Sequence, residues 1–517
     1  MTPIEEFKSE LLPSDLTYFY LGDKDLIARN IKFVQNHHSM LKYKLFLSAL
    51  FLSPLALICQ GKWDLEKCIQ HALDNNIQIK QSELNLQLAG ISQELNFGAF
   101  LPNLNANASH GYNWGQTIDP FTNQFATERI QSNSFGIGTG MTLFNGFQNV
   151  NRYKQGMVNI EARQADLKKM INDVALNVAN SYLNVLFNQE FLKIASGNLD
   201  ATQQQVDRIN KLVEAGAAPK GNLYDIESQL ASDNASLISA KNNLNIAKLV
   251  LVQLLQLNAQ EASEIEIISP EIGDLSALSL PSSARAAVEN ALANFPEMKS
   301  AEAGVRSSEN GVAIAKGRRS PQLDMSFSYG TGFSGANQQP VGDLELTGNS
   351  PIGFVDGSNE VVLAPTFGYS DFQTKPFGDQ LSDNINSSLF FRLTIPIFNG
   401  FNTKAGLEQA QVQKLQADYI LEQTEQQLTQ DVERAYADAL AAYNNYLASE
   451  TALNAAETAF EYATVQFEAG VTNTIDYSNS RIRRDNTQAD LIRNKYDYLF
   501  RLKVIEFYQG NALTLKQ

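Results

Sequence analysis

Every seventh residue from Ile171 onward is apolar: Val178, Val185, Leu192, Leu199, Val206 and Val213 follow it. Val432, Ala439, Tyr446, Leu453, Phe460 and Phe467 form a second such series. A heptad held this long predicts helices supercoiled left-handedly against their neighbours. Beside the first seam lie Ser181, Asn188, Ala195 and Thr202. Beside the second lie Ala435, Ala442, Ser449 and Ala456, so both seams let helices approach closely. Residues 147–215 as one helix would run about 100 Å at 1.5 Å per residue. The flanking helical stretches, 63–100 and 221–258, are each about half as long. Two half-length helices stacked end to end match one long one, so each half of the chain would supply two columns to a tall helical wall. Periodicity alone leaves an ordinary coiled-coil dimer equally open.

Elsewhere the period falls to two. Phe135, Ile137, Thr139, Met141 and Leu143 alternate with Ser134, Gly136, Gly138, Gly140 and Thr142. Leu389, Phe391, Leu393, Ile395 and Ile397 make a matching series over 389–397. Partner strands read Leu104, Ala106, Ala108, His110, Tyr112, Trp114 and Leu323, Met325, Phe327, Tyr329. Segments of about ten residues with one apolar and one small or polar face are the pattern of outer-membrane β-strands. A soluble sandwich also alternates. Pro102 and Pro321 stand where a helix must stop before each strand pair.

The chain repeats itself. "LFNGFQN" at 143–149 returns as "IFNGFNT" at 397–403, an offset of 254 that also relates Tyr182 to Tyr436 and "VEAG" (213–216) to "FEAG" (467–470). Because Asn and Gly both tolerate positive φ, the FNGF step predicts a hinge between strand and helix. Upstream, "ALDNNIQIKQSELNL" (72–86) matches "ALANFPEMKSAEAGV" (291–305), and "LPNL" (101–104) matches "SPQL" (320–323), at an offset of 219. The 35-residue difference places an insertion between Pro321 and Phe398. We expect it at 335–385, as a long surface loop rich in Gly, Asn, Ser and Pro.

The amino-terminal region reads as an export signal. "KYKLFLSALFLSPLALI" (42–58) has lysines ahead of an apolar run too short to span a bilayer, with Cys59 or Gly61 near the cleavage point. Met40 is the expected start, residues 40–61 the signal peptide and 1–39 a mis-assigned leader. Cys59 is a candidate lipid acceptor, although the preceding Ile58 is bulky where a small residue is expected. Once Cys59 is removed, Cys68 has no disulfide partner in the chain. Charged residues make up 19%, with 40 Lys+Arg against 56 Asp+Glu and a net charge of −16. Without a basic patch, no nucleic-acid partner is expected.

With "WDLEKCIQHALDNN", "FLPNL", "SPQL", two FNGF hinges and two EAG helix ends in a duplicated order, residues 62–510 resemble the TolC-like outer membrane efflux protein family. The resemblance implies an α+β membrane protein. Three chains, each giving four strands, would form a trimeric 12-strand outer-membrane β-barrel continued by a long periplasmic α-helical coiled-coil barrel. It implies a first repeat over 62–258, an equatorial linker at 259–283, a second repeat over 284–510 and a short tail, 511–517. It also implies a homotrimer set in outer-membrane lipid, with a periplasmic adaptor (membrane fusion) protein and an inner-membrane transporter as partners.

No catalytic constellation stands out, so no enzyme activity, cofactor or metal site is expected. His37 and His38 precede the signal, and His110 reads as an ordinary strand residue. "GIGTG" (136–140) lacks the spacing of a phosphate loop. The informative polar residues follow the EAG turns: Asn222 and Asp225 after the first, Asp476 and Asn479 after the second. Each pair shares a helix face. By the resemblance, the second pair lies at a periplasmic aperture, where acids from three chains would form a ring. The competing reading is helix capping. Function accordingly reads as a passive export duct of a tripartite efflux or type I secretion system. A periplasmic coiled-coil adaptor or scaffold without a barrel is the alternative. Amino-terminal sequencing of the mature protein should begin between about residues 58 and 62; recovery of residues from 1–39 would contradict the signal.

Overall fold

The computed structural model describes residues 62–511, apart from 120, 124, 127–128 and 270–282. The expected leader, the signal segment, much of the linker and residues 512–517 lie outside the described residues. The first repeat contains β1 (Lys62–Trp63), α1 (Leu65–Asn75), α2 (Ile77–Gly98), β2 (Asn103–Asn113), β3 (Thr117–Ile118), β4 (Phe125–Ala126), β5 (Ile130–Phe144), α3 (Gln148–Glu214) and α4 (Lys220–Leu255). A link of α5 (Ala259–Glu264) and β6 (Glu266–Ile267) follows. The second repeat contains α6 (Arg285–Asn294), α7 (Pro296–Gly317), β7 (Gln322–Ser334), β8 (Gln338–Val341), β9 (Glu345–Phe354), β10 (Val361–Gly368), β11 (Asp371–Thr374), α8 (Phe377–Asp383), β12 (Asn386–Thr394), α9 (Asn402–Glu468) and α10 (Thr474–Tyr508).

Helices α3 and α9 are each 67 residues long, about 100 Å at the α-helical rise. Each packs along one half-length helix above and another below: α2 and α4 for α3, α7 and α10 for α9. The small residues beside the heptad seams are what these contacts bury, with Asn188, Ala195, Thr202, Ala442, Ser449 and Ala456 all inside. The stretch 63–100 is not one helix as its length suggested. Asn76 takes extended backbone and its Oδ1 accepts from Gln78 N at 2.8 Å, so it ends α1 and caps α2. Among the described residues, no helix is long and apolar enough to cross a membrane.

Halfway along α3 the chain thickens. Strand β1 pairs in parallel with β6, and the buried Tyr182 hydroxyl donates to Ile268 O at 2.6 Å. Trp63, Leu65, Cys68, Val178, Leu186 and Leu251 share this core. Burial pushes the Cys68 thiol up to about 12, so it stays protonated and inert. On the second repeat a smaller cluster joins Ala287, Ala291 and Phe295 of the α6–α7 region to Leu428 and Val432 of α9.

Strands β2, β5, β7 and β12 form one four-stranded antiparallel sheet, in the order β12-β7-β5-β2. Its two hairpins share a register: Asn103 faces Gly140 in the first, and their repeat images, Gln322 and Thr394, face each other in the second. The alternating series line up across the sheet. Leu104, Thr139, Phe327 and Leu389 make one row of the apolar face, while Gly138, Ser328 and Ser388 lie on the opposite one. That second face carries its own cross-strand bonds, Ser109 to Ser134 at 2.7 Å and Thr142 to Asp324 at 2.8 Å. Strand β12 ends at Thr394, so Ile395 and Ile397 fall beyond it; Pro396, with no N–H to give the ladder, is the reason.

The insertion is not an irregular loop. Strand β8 pairs with β11, and β9 with β10, so residues 338–374 extend the second hairpin as a β-arm. At its base α8 covers the part of β7 that β12 leaves unpaired. Gln380 donates to Ser334 O at 3.0 Å and accepts from Ser334 N at 2.9 Å, while Asn384 donates to Gly332 O at 2.8 Å.

Each FNGF step does join a strand to a helix, but the positive φ falls on Gly and the second Phe rather than on Asn. Gly146 and Phe147 have φ of 65° and 60°, and Gly400 and Phe401 of 63° and 65°. The Asn instead serves the helix, with Asn145 Oδ1 accepting from Asn149 N and Asn399 Oδ1 from Thr403 N, both at 3.3 Å. The paired phenylalanines meet edge to face, at 5.4 Å for Phe144 and Phe147 and 5.6 Å for Phe398 and Phe401. Gly146 is further constrained, because a Cβ there would lie 2.4 Å from Gly317 O at the end of α7. Gly146→Ala should therefore cost more than about 2 kcal/mol and lower the melting temperature. Gly197→Ala, inside α3 with open space around it, should leave the melting temperature unchanged or raise it. Equal melting of Gly146→Ala and wild type would contradict the close approach.

Candidate functional site

Both EAG turns end a long helix in the same way. Gly216 and Gly470 adopt φ of 72° and 71°. Gly216 N donates to Val213 O at 3.0 Å and Ala217 N to Leu212 O at 2.8 Å. At the second turn, Gly470 N donates to Phe467 O at 3.1 Å and Val471 N to Gln466 O at 2.9 Å. Such paired bonds satisfy the last carbonyls of a helix and turn the chain sharply. Helices α4 and α10 then run back along α3 and α9.

The four predicted polar residues sit just after these turns. Asp225, Asp476 and Asn479 are exposed, and Asn222 is half-buried. Capping is realised at the second turn: Asn473 caps α10 by accepting from Asp476 N at 2.8 Å, and its Nδ2 donates to Asp476 Oδ2 at 3.0 Å. At the first turn α4 begins after Pro219 without a side-chain cap, and Asp225 lies in its second turn, where it has no capping role. Within one chain the two pairs remain on separate helices, with no described hydrogen bond or ion pair between them.

A more deeply organised group stands immediately above. Arg481 of α10 is 2% exposed although it is charged. Its guanidinium donates to Thr202 Oγ1 and Asn198 O of α3 and, at 3.2 Å, to Asp233 Oδ2 of α4. Thr202 also donates to Asp233, and Gln229 Nε2 reaches Asp233 Oδ1 at 2.8 Å. Asp485, one turn further along α10, lies 3.7 Å from Arg481 Nε; its burial raises the carboxyl above the usual range, against the pull of Arg484 and Arg481. Tyr477 closes the lower side, stacked on Phe467 at 4.7 Å. Three helices from both repeats are thus tied by one buried cation. Sequence reasoning missed this group because its members lie 248 and 279 positions apart. The available signal was a lone Asp233 and Thr202 on otherwise apolar or small helix faces.

Removing one member of a buried, hydrogen-bonded pair strands the others, a loss of about 3–5 kcal/mol. Arg481→Ala should lower the melting temperature by several degrees and open the α10 start to protease. Unchanged melting and proteolysis would show that the cation does not tie these helices.

The family model described as outer membrane efflux protein matches residues 68–256 and 287–510, one block in each repeat. The pyoverdine export outer membrane protein OpmQ of Pseudomonas aeruginosa is 22% identical over 281 residues, covering 53% of this chain and 58% of that protein. The match thus spans little more than half of either. The crystal structure of the outer membrane protein VceC from Vibrio cholerae is similar, with a TM-score of 0.69 and 16% identity over 87% of this chain and 97% of that one. A CusC crystal structure also gives a TM-score of 0.69, at 16% identity over 87% of this chain and 92% of that one. These structural likenesses bear on the fold, and the family model, which covers most of the sequence, bears on membership. The chain belongs to the outer membrane efflux protein family, and its place is the outer membrane.

Proposed function

We propose that three copies of this chain close into one passive export duct, the outer-membrane channel of a tripartite efflux system. The observation that carries this is the sheet with two open edges. Strands β2 and β12 each have one neighbour, yet backbone groups facing lipid must all be paired. Edge-to-edge pairing of three sheets gives twelve strands and leaves no edge. The apolar face would meet lipid, and the Asn, Ser and Gly face would line the lumen.

The internal repeat supports the same closure. Within the chain α7 packs on α3, whereas α9 has no such contact with α2. The corresponding surfaces are apolar and exposed: Leu84, Leu88 and Leu95 on α2, Val412, Leu415 and Tyr419 on α9. The Gly146–Gly317 approach maps by the repeat offsets onto Gly400 of one chain and Gly98 of the next. Both of these have open space in the single chain. A periplasmic scaffold without a barrel would have no use for the four-stranded sheet.

On this reading the EAG turns face an inner-membrane transporter and a periplasmic adaptor protein, with the duct itself supplying no energy. Three copies of Asp225 and Asp476, flanked by Asn222 and Asn479, would form an acidic aperture, and Arg481 positions the helix that carries Asp476. Cargo passes without being transformed, as the name of OpmQ suggests for pyoverdine in that relative. Single-channel reversal potentials in a salt gradient test the aperture. Wild type should prefer cations, and Asp225→Asn/Asp476→Asn should lose much of that preference. If the double variant melts lower but keeps wild-type selectivity, the acids only support their helices and the ring is wrong.

A further inference from the structure

The β-arm at residues 338–374 is present in the second repeat only and is absorbed neither by the duct wall nor by the aperture. Its pairing gives it two unlike faces. Val361 opposes Phe354, Leu363 opposes Pro351, Pro365 opposes Asn349 and Phe367 opposes Leu346, all on one side and all uncharged, with Ile352 bulged beside them. The other side carries Val362, Ala364, Thr366, Ser350 and Glu345. On the first side Phe354 is 69% exposed, Ile352 67%, Leu346 62% and Phe367 61%. A two-stranded ribbon is marginal in water, and an uncharged, largely apolar face of this size, broken only by Asn349, marks a covered surface.

We propose that this face is covered by the arms of the other two chains, so that three arms pack on one another over the outer mouth of the duct. The inference rests on the trimeric reading above. Reach allows it: β8 and β9 in line span about 45 Å at the strand rise, whereas a barrel of twelve tilted strands has a radius of about 12 Å. Charge favours it over burial in lipid. Between residues 335 and 376 the arm carries Asp343, Glu345, Asp356, Glu360 and Asp371 but one basic residue, Lys375, which pairs with Asp383. An anionic membrane surface repels such an arm. The acids avoid the apolar face: Glu345 lies on the opposite side, Asp356 and Glu360 at the tip, Asp343 and Asp371 near the base. A surface that meets its own copies must be free of like charges, and this one is. The arm also continues the β7–β12 hairpin, whose edge strand β12 is proposed to join β2 of the next chain, so three arms would rise from the same rim of one barrel.

Full-length Leu363→Cys and Val362→Cys, in dilute detergent, separate the possibilities. They are treated with a short bismaleimide and run on denaturing gels with and without boiling; Cys68 is buried, and wild type controls for background. Leu363→Cys should give covalent dimers that survive boiling, the largest product that one accessible cysteine per chain allows with a two-ended reagent, and Val362→Cys, on the opposite face, should give few. Adding Phe354→Ser/Phe367→Ser to Leu363→Cys should abolish most of the cross-linking. A trimer band in unboiled samples with Leu363→Cys entirely monomeric after boiling overturns the packed arms and leaves the trimer standing. Equal cross-linking from both faces also overturns the proposal, since the arms would then meet without orientation. Absence of any trimer band in unboiled wild type overturns the trimeric reading and the arm proposal with it.

Discussion

Unpaired backbone is the constraint on which everything else in this chain depends. A strand in lipid has no water to satisfy its N–H and C=O groups, and a four-stranded sheet leaves two rows of them at β2 and β12. Side chains cannot repair this, because the outward face is apolar for the same reason that the edge needs pairing. On the proposed reading the remedy is another copy of the same edge-bearing sheet. Once strands are committed to closing with neighbours, the helices joined to them through the FNGF hinges must close as well. That closure, as proposed, would account for apolar stripes on α2 and α9 that would otherwise be liabilities.

The duplication makes this closure economical. One contact set inside the chain, β5 on β7 and α3 on α7, joins the first repeat to the second. The same set, shifted by the repeat offsets, would join the second repeat of one chain to the first repeat of the next. The in-chain version is more polar: Arg306 reaches Glu161 at 2.6 Å, and Ser300 reaches Asp166 at 2.6 Å. The images of these positions are Gln87, Leu415, Gln81 and Ile420. On the proposed closure, surfaces that meet after synthesis have exchanged charged groups for uncharged and apolar ones, as association between separate chains favours.

Much of this was legible in the residues alone, wherever a period or a repeat carried it. Heptads from Ile171 to Val213 and from Val432 to Phe467 marked the later part of each long helix, up to its last turn, and the two-residue alternation marked all four strands of the main sheet. The FNGF hinge was visible and its glycines do take positive φ, yet the second such residue is the following Phe rather than Asn. Phe147 and Phe401 take the left-handed conformation, which bulky residues rarely do and which edge-to-face packing of the paired rings helps to hold. Composition suggested a loop at 335–385 because Gly, Asn and Pro are turn formers; here Pro351, Gly353 and Gly348 flank the bulges of a ribbon, and Pro340, Asn349 and Pro365 take places in its pairs. Arg481 was invisible for a different reason. A buried cation is defined by partners on two other helices, and the local pattern shows only a lone Asp233 and Thr202, not what they meet.

Closure itself can be tested at a single pair of residues. Carrying the β5–β7 register through the repeat places Arg392 of one chain opposite Ser109 of the next, on the luminal face. A chain bearing Ser109→Cys and Arg392→Cys, oxidised in the membrane and boiled without reductant, should run as a covalently closed trimer, and each single variant as a monomer. Asn103→Cys with Arg392→Cys, out of register, should not cross-link. If the in-register pair stays monomeric while both cysteines remain reactive, the edges do not meet and the duct proposed here is not formed in this way.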